Sequence, residues 1–194
     1  MIRQGLHTMQ RSAKLTLLLL VLVTVLPVSA SYLSFFFWQP RHTVNYGELL
    51  TPAQLPQASL TGLAGRGNID RVTMNGRWTL VYAAPARCDA DCGLALYATR
   101  QTRLAQGKGM RRLARLWLVT DGRAPDERLL RGHADLEIAQ ADSGWLAVMP
   151  EATSAVHVFL VDPRGNVMMR FPARPDIGQV ITDVQRLLKF SGVG

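Results

Sequence analysis

The chain opens on an apolar run with few interruptions. From Leu15 to Trp38 there is no charged residue, and the run includes four leucines at 17–20 and Phe35, Phe36, Phe37 and Trp38. About 20 apolar residues cross a bilayer core, so this stretch predicts one transmembrane helix over 15–38. Pro27 is expected to do no more than kink it. Residues 39–75 lack a clear period: Pro40, Pro52 and Pro56 punctuate them, and a short helix is expected around Leu49 to Leu55. The stretch reads as a linker and lead-in. Beyond the Asn75-Gly76 turn, Trp78 to Pro85 is a β-rich apolar run that predicts a buried strand. Leu94, Leu96, Tyr97, Leu104 and Met110 then sit among helix formers, with Gly107 and Gly109 marking the end. Leu113 to Val119 predicts a second strand, closed by Asp121-Gly122, and Trp145 to Met149 a third. Val156 to Val161 and Val167 to Phe171 flank Asp162-Pro163-Arg164-Gly165-Asn166, a hairpin signal. Ile177, Val180, Ile181, Val184, Leu187 and Leu188 recur at helical spacing, so the region predicts an amphipathic C-terminal helix.

Charge adds orientation. Arg3, Arg11 and Lys14 precede the apolar run with no acidic residue before Glu48. This places residues 1–14 in the cytoplasm and sends the C-terminal part of the chain outward. Val28-Ser29-Ala30 is a passable signal-peptidase site, but the apolar run continues past it, so an uncleaved anchor is the favoured reading. In a Gram-negative host the protein would be a single-pass inner-membrane protein with its C-terminal domain in the periplasm. Three of the 22 basic residues lie in that N-terminus, leaving 19 against 14 acidic ones, a net of +5. Lys108, Arg111, Arg112 and Arg115, with Arg128 and Arg131, suggest a basic face suited to lipid headgroups or an acidic protein. Stacking aromatics are not interleaved there, which argues against nucleic acid as a partner.

The chain of 194 residues has two cysteines, Cys88 and Cys92, a local feature and not a disulfide framework. Strand, cysteine pair, helix, strand, hairpin and final helix come in that order, the skeleton of an α/β thioredoxin-like sandwich over 76–194. The cysteines fall where a strand feeds a helix. Four positions apart they are close enough for a disulfide or for joint binding of a soft ion such as copper(I). A helix N-terminus favours a thiolate, whereas Asp89 and Asp91 oppose one and can instead cap the helix. A permanent structural disulfide remains an open alternative. There is no Gly-x-Ser-x-Gly, no paired-histidine metal motif and no phosphate-binding glycine loop.

Trp78 to Pro85 leading into Cys88 and Cys92, together with Phe159 to Gly165 before a final helix, resembles the Sco/SenC family of cytochrome c oxidase assembly proteins. The resemblance implies a membrane-anchored thioredoxin-like domain that hands copper to the oxidase's copper-binding subunit or keeps its cysteines reduced. Its partners would be that subunit or another assembly factor, with Cys88 and Cys92 as the working pair and Cys88 as nucleophile. The family's third copper ligand is a histidine before the late strand. Counting back from Asp162-Pro163, that position is Ser154 here, and the nearest histidine, His157, lies three residues later. Three steps along a strand move about 10 Å and reverse the face, so His157 reads more readily as a buried strand histidine than as a copper ligand. His133 and the methionines Met149, Met168 and Met169 are weaker candidates. No proline immediately precedes Val156 and the pair lacks two-residue spacing, so the chain is at most a narrow thiol-disulfide oxidoreductase. A general periplasmic reductase and a non-catalytic interaction module are the alternatives.

Overall fold

Strands β2 (Trp78–Ala84) and β3 (Leu113–Val119) are buried along their whole length, as expected of strands covered on both faces. They pair in parallel from Trp78↔Leu113 to Ala84↔Val119, joined by helix α3 (Ala90–Leu104). The computed structural model describes residues 3–37 and 45–191. These fall in two compact units, Met1–Val44 and Asn45–Gly194.

In the first unit, helix α1 (Arg3–Phe37) runs unbroken through Pro27. Lys14–Phe36 has a mean hydropathy of 2.2. Its 23 residues span roughly 35 Å at 1.5 Å per residue, more than the roughly 30 Å of a hydrocarbon core. The Thr24 hydroxyl donates back to Leu20 O and Val21 O at 3.0 Å, which removes a polar group from the apolar surface. This is an apolar helix of membrane-anchoring character; Trp38 and Pro40 lie outside the described residues.

The second unit is built on one six-stranded sheet. It contains β1 (Glu48–Gln54), β4 (Glu137–Gln140), β5 (His157–Val161) and β6 (Asn166–Pro172) in the order β1-β6-β5-β2-β3-β4. The three strands β2, β3 and β4 are parallel, while β5, β6 and β1 alternate antiparallel. The β5–β6 hairpin turns at Gly165, whose φ of 83° an L side chain adopts only at a cost. Helix α6 (Ile177–Phe190) joins α3 on one face over a core of Leu80, Tyr82, Trp117, Leu160, Phe171 and Val184. A second core lies on the opposite face around Val81, Leu116, Phe159 and Trp145.

Three expectations are corrected. The segment around Leu49 to Leu55 is not a helix but edge strand β1, paired with β6 from Glu48↔Arg170 to Gln54↔Asn166. Pro52 is tolerated there because the ladder is irregular between Leu49 and Ala53 and an edge has a free side. Residues 45–75 are also more than a linker. Leu55, Leu60, Ile69 and Met74 are buried in the second core, and short helix α2 (Arg71–Met74) starts on a capping box between Asp70 and Thr73. Finally, Trp145 to Met149 is not a strand. Asp142 caps helix α5 (Ser143–Ala147) by accepting from Gly144 N and Trp145 N, and the remaining parallel strand is β4, which follows the short helix α4 (Glu127–Arg131).

Candidate functional site

The site lies at the C-terminal ends of the parallel strands, where ligand and catalytic groups gather in open α/β sheets. After Ala84 the chain leaves β2 and reaches Cys88, and Asp89 caps α3 with its Oδ1 accepting the Cys92 N–H at 2.9 Å. Cys88 therefore precedes the helix and Cys92 occupies its first turn. They are disulfide-bonded with Cα atoms 5.1 Å apart. Cys92 is buried at 3% exposure and Cys88 is half-buried, so Cys88 is the sulfur within reach of a partner.

The surroundings fix this loop from three sides. The Ala86 N–H donates to Asp121 Oδ1 at 3.0 Å, which ties the loop to the end of β3 and holds the Asp121 carboxyl below the usual range. Arg174, from the β6–α6 connection, binds Asp91 Oδ1 through Nε at 2.6 Å and Nη2 at 2.5 Å. That exposed bridge contributes little stability but supplies a counter-charge beside the cysteines. Tyr82 on β2 donates its hydroxyl to Ala155 O at 3.0 Å. Burial, with added repulsion from Asp89 and Asp91, pushes its pKa up to about 12. The turn it holds, Ala152–Ser154, is flanked by Glu151 and Ala155, both left-handed at φ 59° and 54°. Non-glycine residues in this region cost roughly 1–2 kcal/mol each, strain that structures retain mainly at functional loops.

Beneath the loop, α3 is fastened to β3 by Arg115, whose side chain is fully buried. Its Nη2 donates to Leu96 O at 2.7 Å, its Nε to Thr99 Oγ1 at 3.1 Å, and its Nη1 to Asp135 at 3.1 and 3.3 Å. Arg115 Nη2 also lies 3.2 Å from His133 Nδ1, which must accept because a guanidinium only donates. Arg115 is thus no part of a basic face. Arg112 is likewise engaged, donating to Leu188 O and Ser191 O at the end of α6.

The structure brings Cys88 and Cys92 together and sets His157 apart from them. Along β5, His157 shares the face of Phe159 and Val161, which belong to the second core, whereas Val158 and Leu160 face the core that contains Cys92. The His157 ring lies 6.1 Å from the Phe159 ring, with Nδ1 3.6 Å from Glu151 Oε2. Burial, then the positive charge of Arg170, lowers its pKa. Among the described residues, no group of three or more His, Cys, Asp or Glu side chains is placed to hold a metal ion. Reduced Cys88 and Cys92 can offer two thiolates to copper(I), and among the described residues no third His, Cys, Asp or Glu is grouped with them. Ser154 sits in the turn beside the end of β2 and is exposed. From the sequence, Tyr82 carries no role of its own, Asp121 stands only as a turn residue and Arg115 falls on a basic face. Each has a signal: a polar tip or charge inside a strand, or a carboxylate at a strand end.

A redox-capable cysteine pair at a strand-to-helix junction of a βαβ–ββα sheet defines a thioredoxin-like protein. The chain belongs to the family described as transmembrane-like, thioredoxin-like, C-terminal domain, whose model matches residues 78–191. No curated protein matches it by sequence. Among solved structures it is similar to the copper-bound Sco protein of Bradyrhizobium japonicum, at 17% identity and a TM-score of 0.55 over 69% of this chain and 99% of that one. The copper-bound yeast Sco protein matches at 14% identity and a TM-score of 0.58, covering 73% and 96%. The thioredoxin domain of a thiol-disulfide oxidoreductase from Bacteroides vulgatus matches at 18% and 0.53, covering 73% and 99%. At these identities the likeness establishes the fold.

Proposed function

We propose that the chain is an inner-membrane protein whose periplasmic domain exchanges disulfides during cytochrome c oxidase assembly, reducing the cysteines of the copper-binding subunit. The observation that carries this reading is the Cys88–Cys92 disulfide at the strand-to-helix junction, half-exposed at Cys88 and, among the described residues, not grouped with a third His, Cys, Asp or Glu. In the reduced protein the Cys88 thiolate attacks one sulfur of the partner's disulfide and releases the other as a thiolate. Cys92 then attacks Cys88 Sγ, frees the second partner thiol and closes the disulfide seen here. Two electrons pass to the partner, and a periplasmic dithiol must return the pair to its reduced state. The N-terminal dipole of α3 stabilises the attacking thiolate, while Asp89 and Asp91 moderate it.

The copper-bound neighbours support a second reading, in which the reduced pair carries copper(I) as cargo to the same subunit. One experiment separates the two. With Cys92→Ser in the native host, the mixed disulfide at Cys88 cannot resolve and should trap the copper-binding subunit as a covalent adduct. Adducts with many unrelated proteins would indicate a general reductase instead. Oxidase assembly that survives Cys88→Ser with Cys92→Ser would reduce the domain to a binding module. Copper(I) bound at one equivalent by the reduced wild type and lost in Cys88→Ser, with no adduct formed, would favour cargo transfer.

A further inference from the structure

The end of the domain opposite Cys88 is basic. Since β2 and β3 run toward the cysteine loop, their first residues, Trp78 and Leu113, mark that far end. There the turn Gly107–Arg112 packs on the last turns of α6: Arg112 binds Leu188 O and Ser191 O at 2.9 and 2.8 Å, and Gln185 reaches Ala105 O at 3.4 Å. Lys108, Arg111 and Lys189 are exposed around this junction. Phe190 is 80% exposed, with Lys189 Nζ 5.8 Å from its ring centre. Beside it opens a hollow of about 440 Å³ lined in part by Asn45, Trp78, Arg186 and Phe190. The carboxylate in its lining, Asp183, is buried and accepts the Gly47 N–H at 2.9 Å.

Asn45 is also where the anchor's chain joins the domain, after residues 38–44. Even fully extended, so short a connection reaches only roughly 28 Å. The bilayer surface is therefore always within reach of this end, and an exposed aromatic among basic side chains is the composition of an interfacial contact.

We infer that this end docks on anionic phospholipid headgroups, with Lys108, Arg111 and Lys189 against the phosphates and Phe190 at the acyl boundary. Cys88 then faces away from the membrane, toward a partner's extramembrane domain. The inference rests on α1 spanning a bilayer and not on thiol exchange.

The test uses the full chain in nanodiscs of phosphatidylcholine alone or with about a third phosphatidylglycerol. Lys108 and Lys189 are acylated with a water-soluble reagent and followed by mass spectrometry. Both should react several-fold more slowly in the anionic discs, and the difference should vanish near 1 M salt, where the Debye length is about 3 Å. Equal rates in the two discs would overturn the inference and leave an acidic protein as the occupant. Arg111→Glu combined with Phe190→Ser should erase the difference at Lys108 and Lys189 while alkylation of reduced Cys88 is unchanged. A difference that persists in that variant would also overturn it. Failure here leaves the trapping experiment with Cys92→Ser unaffected.

Discussion

Arg115→Met removes the guanidinium that fastens α3, and with it Cys92, to β3. Wild-type Arg115 serves Leu96 O, Thr99 Oγ1, His133 Nδ1 and the Asp135 carboxylate from a side chain with no exposure. Breaking a buried ion pair by deleting one partner costs about 3–5 kcal/mol, because the other groups stay buried without it. Two features place this case at the low end. The Asp135 side chain is 31% exposed and keeps Arg103 at 3.3 Å, and methionine fills most of the vacated volume. The expected loss is therefore about 3 kcal/mol, a fall in Tm of roughly 10 °C for a domain of this size. Thermal unfolding of the full chain in detergent, followed by tryptophan fluorescence, reads it through buried Trp117 and Trp145. Asp135→Asn in the Arg115→Met background should add little, since the two changes share one network. A loss below about 1 kcal/mol, or full additivity of the two, would refute the view of Arg115 as the fastener.

Cys88→Ser with Cys92→Ser should fold and lose about 2 kcal/mol in denaturant titration for the short closed ring, plus a smaller cost for the polar hydroxyl at Cys92 in the first core, because the second core contains neither cysteine; failure to fold would show a structural staple. Acid sensitivity should come first from His133. Burial and then the charge of Arg115 hold its pKa below 6.5, so the unfolded chain takes up the proton before the folded one does. Its contribution is thus complete above about pH 6.5 and is lost as pH falls through the window beneath, at no more than about 1.4 kcal/mol per pH unit. His157 shifts in the same direction and adds to the slope. His133→Gln, which keeps an acceptor for Arg115, should flatten the dependence between pH 7 and 5, and an unchanged slope would exclude His133 as its source.

Much of this architecture can be read from local pattern. The apolar runs of β2 and β3, the Asp162 to Asn166 turn and the periodic face of α6 each carry their signal within one segment. Cys88 and Cys92 are legible for the same reason, since a strand precedes them and a capped helix comes after. The features that escape a local reading depend on distant partners. β1 is a strand because residues 48–54 find β6 more than 100 positions later. Leu60 and Ile69 form a bridge and fill a core that no local period announces. Trp145 lies in a short apolar run whose type is settled by Asp142, three residues earlier. Arg115 passes for a surface charge by its type, although it alternates with Leu113, Trp117 and Val119, a spacing that turns it into the core. His157 shows the same rule at work, since Phe159 and Val161 on its period mark the face it takes.

The most direct test of the central claim, that Cys88 and Cys92 form a working pair, is its reduction potential. The full chain in detergent is equilibrated in dithiol and glutathione buffers, and the free thiols are counted after acid quenching and alkylation. An exchangeable pair should titrate above about −300 mV, with Cys88 alkylated before Cys92 in the reduced protein. A midpoint well below about −300 mV, or faster alkylation at Cys92, would mark the bond as structural and contradict the exchange mechanism.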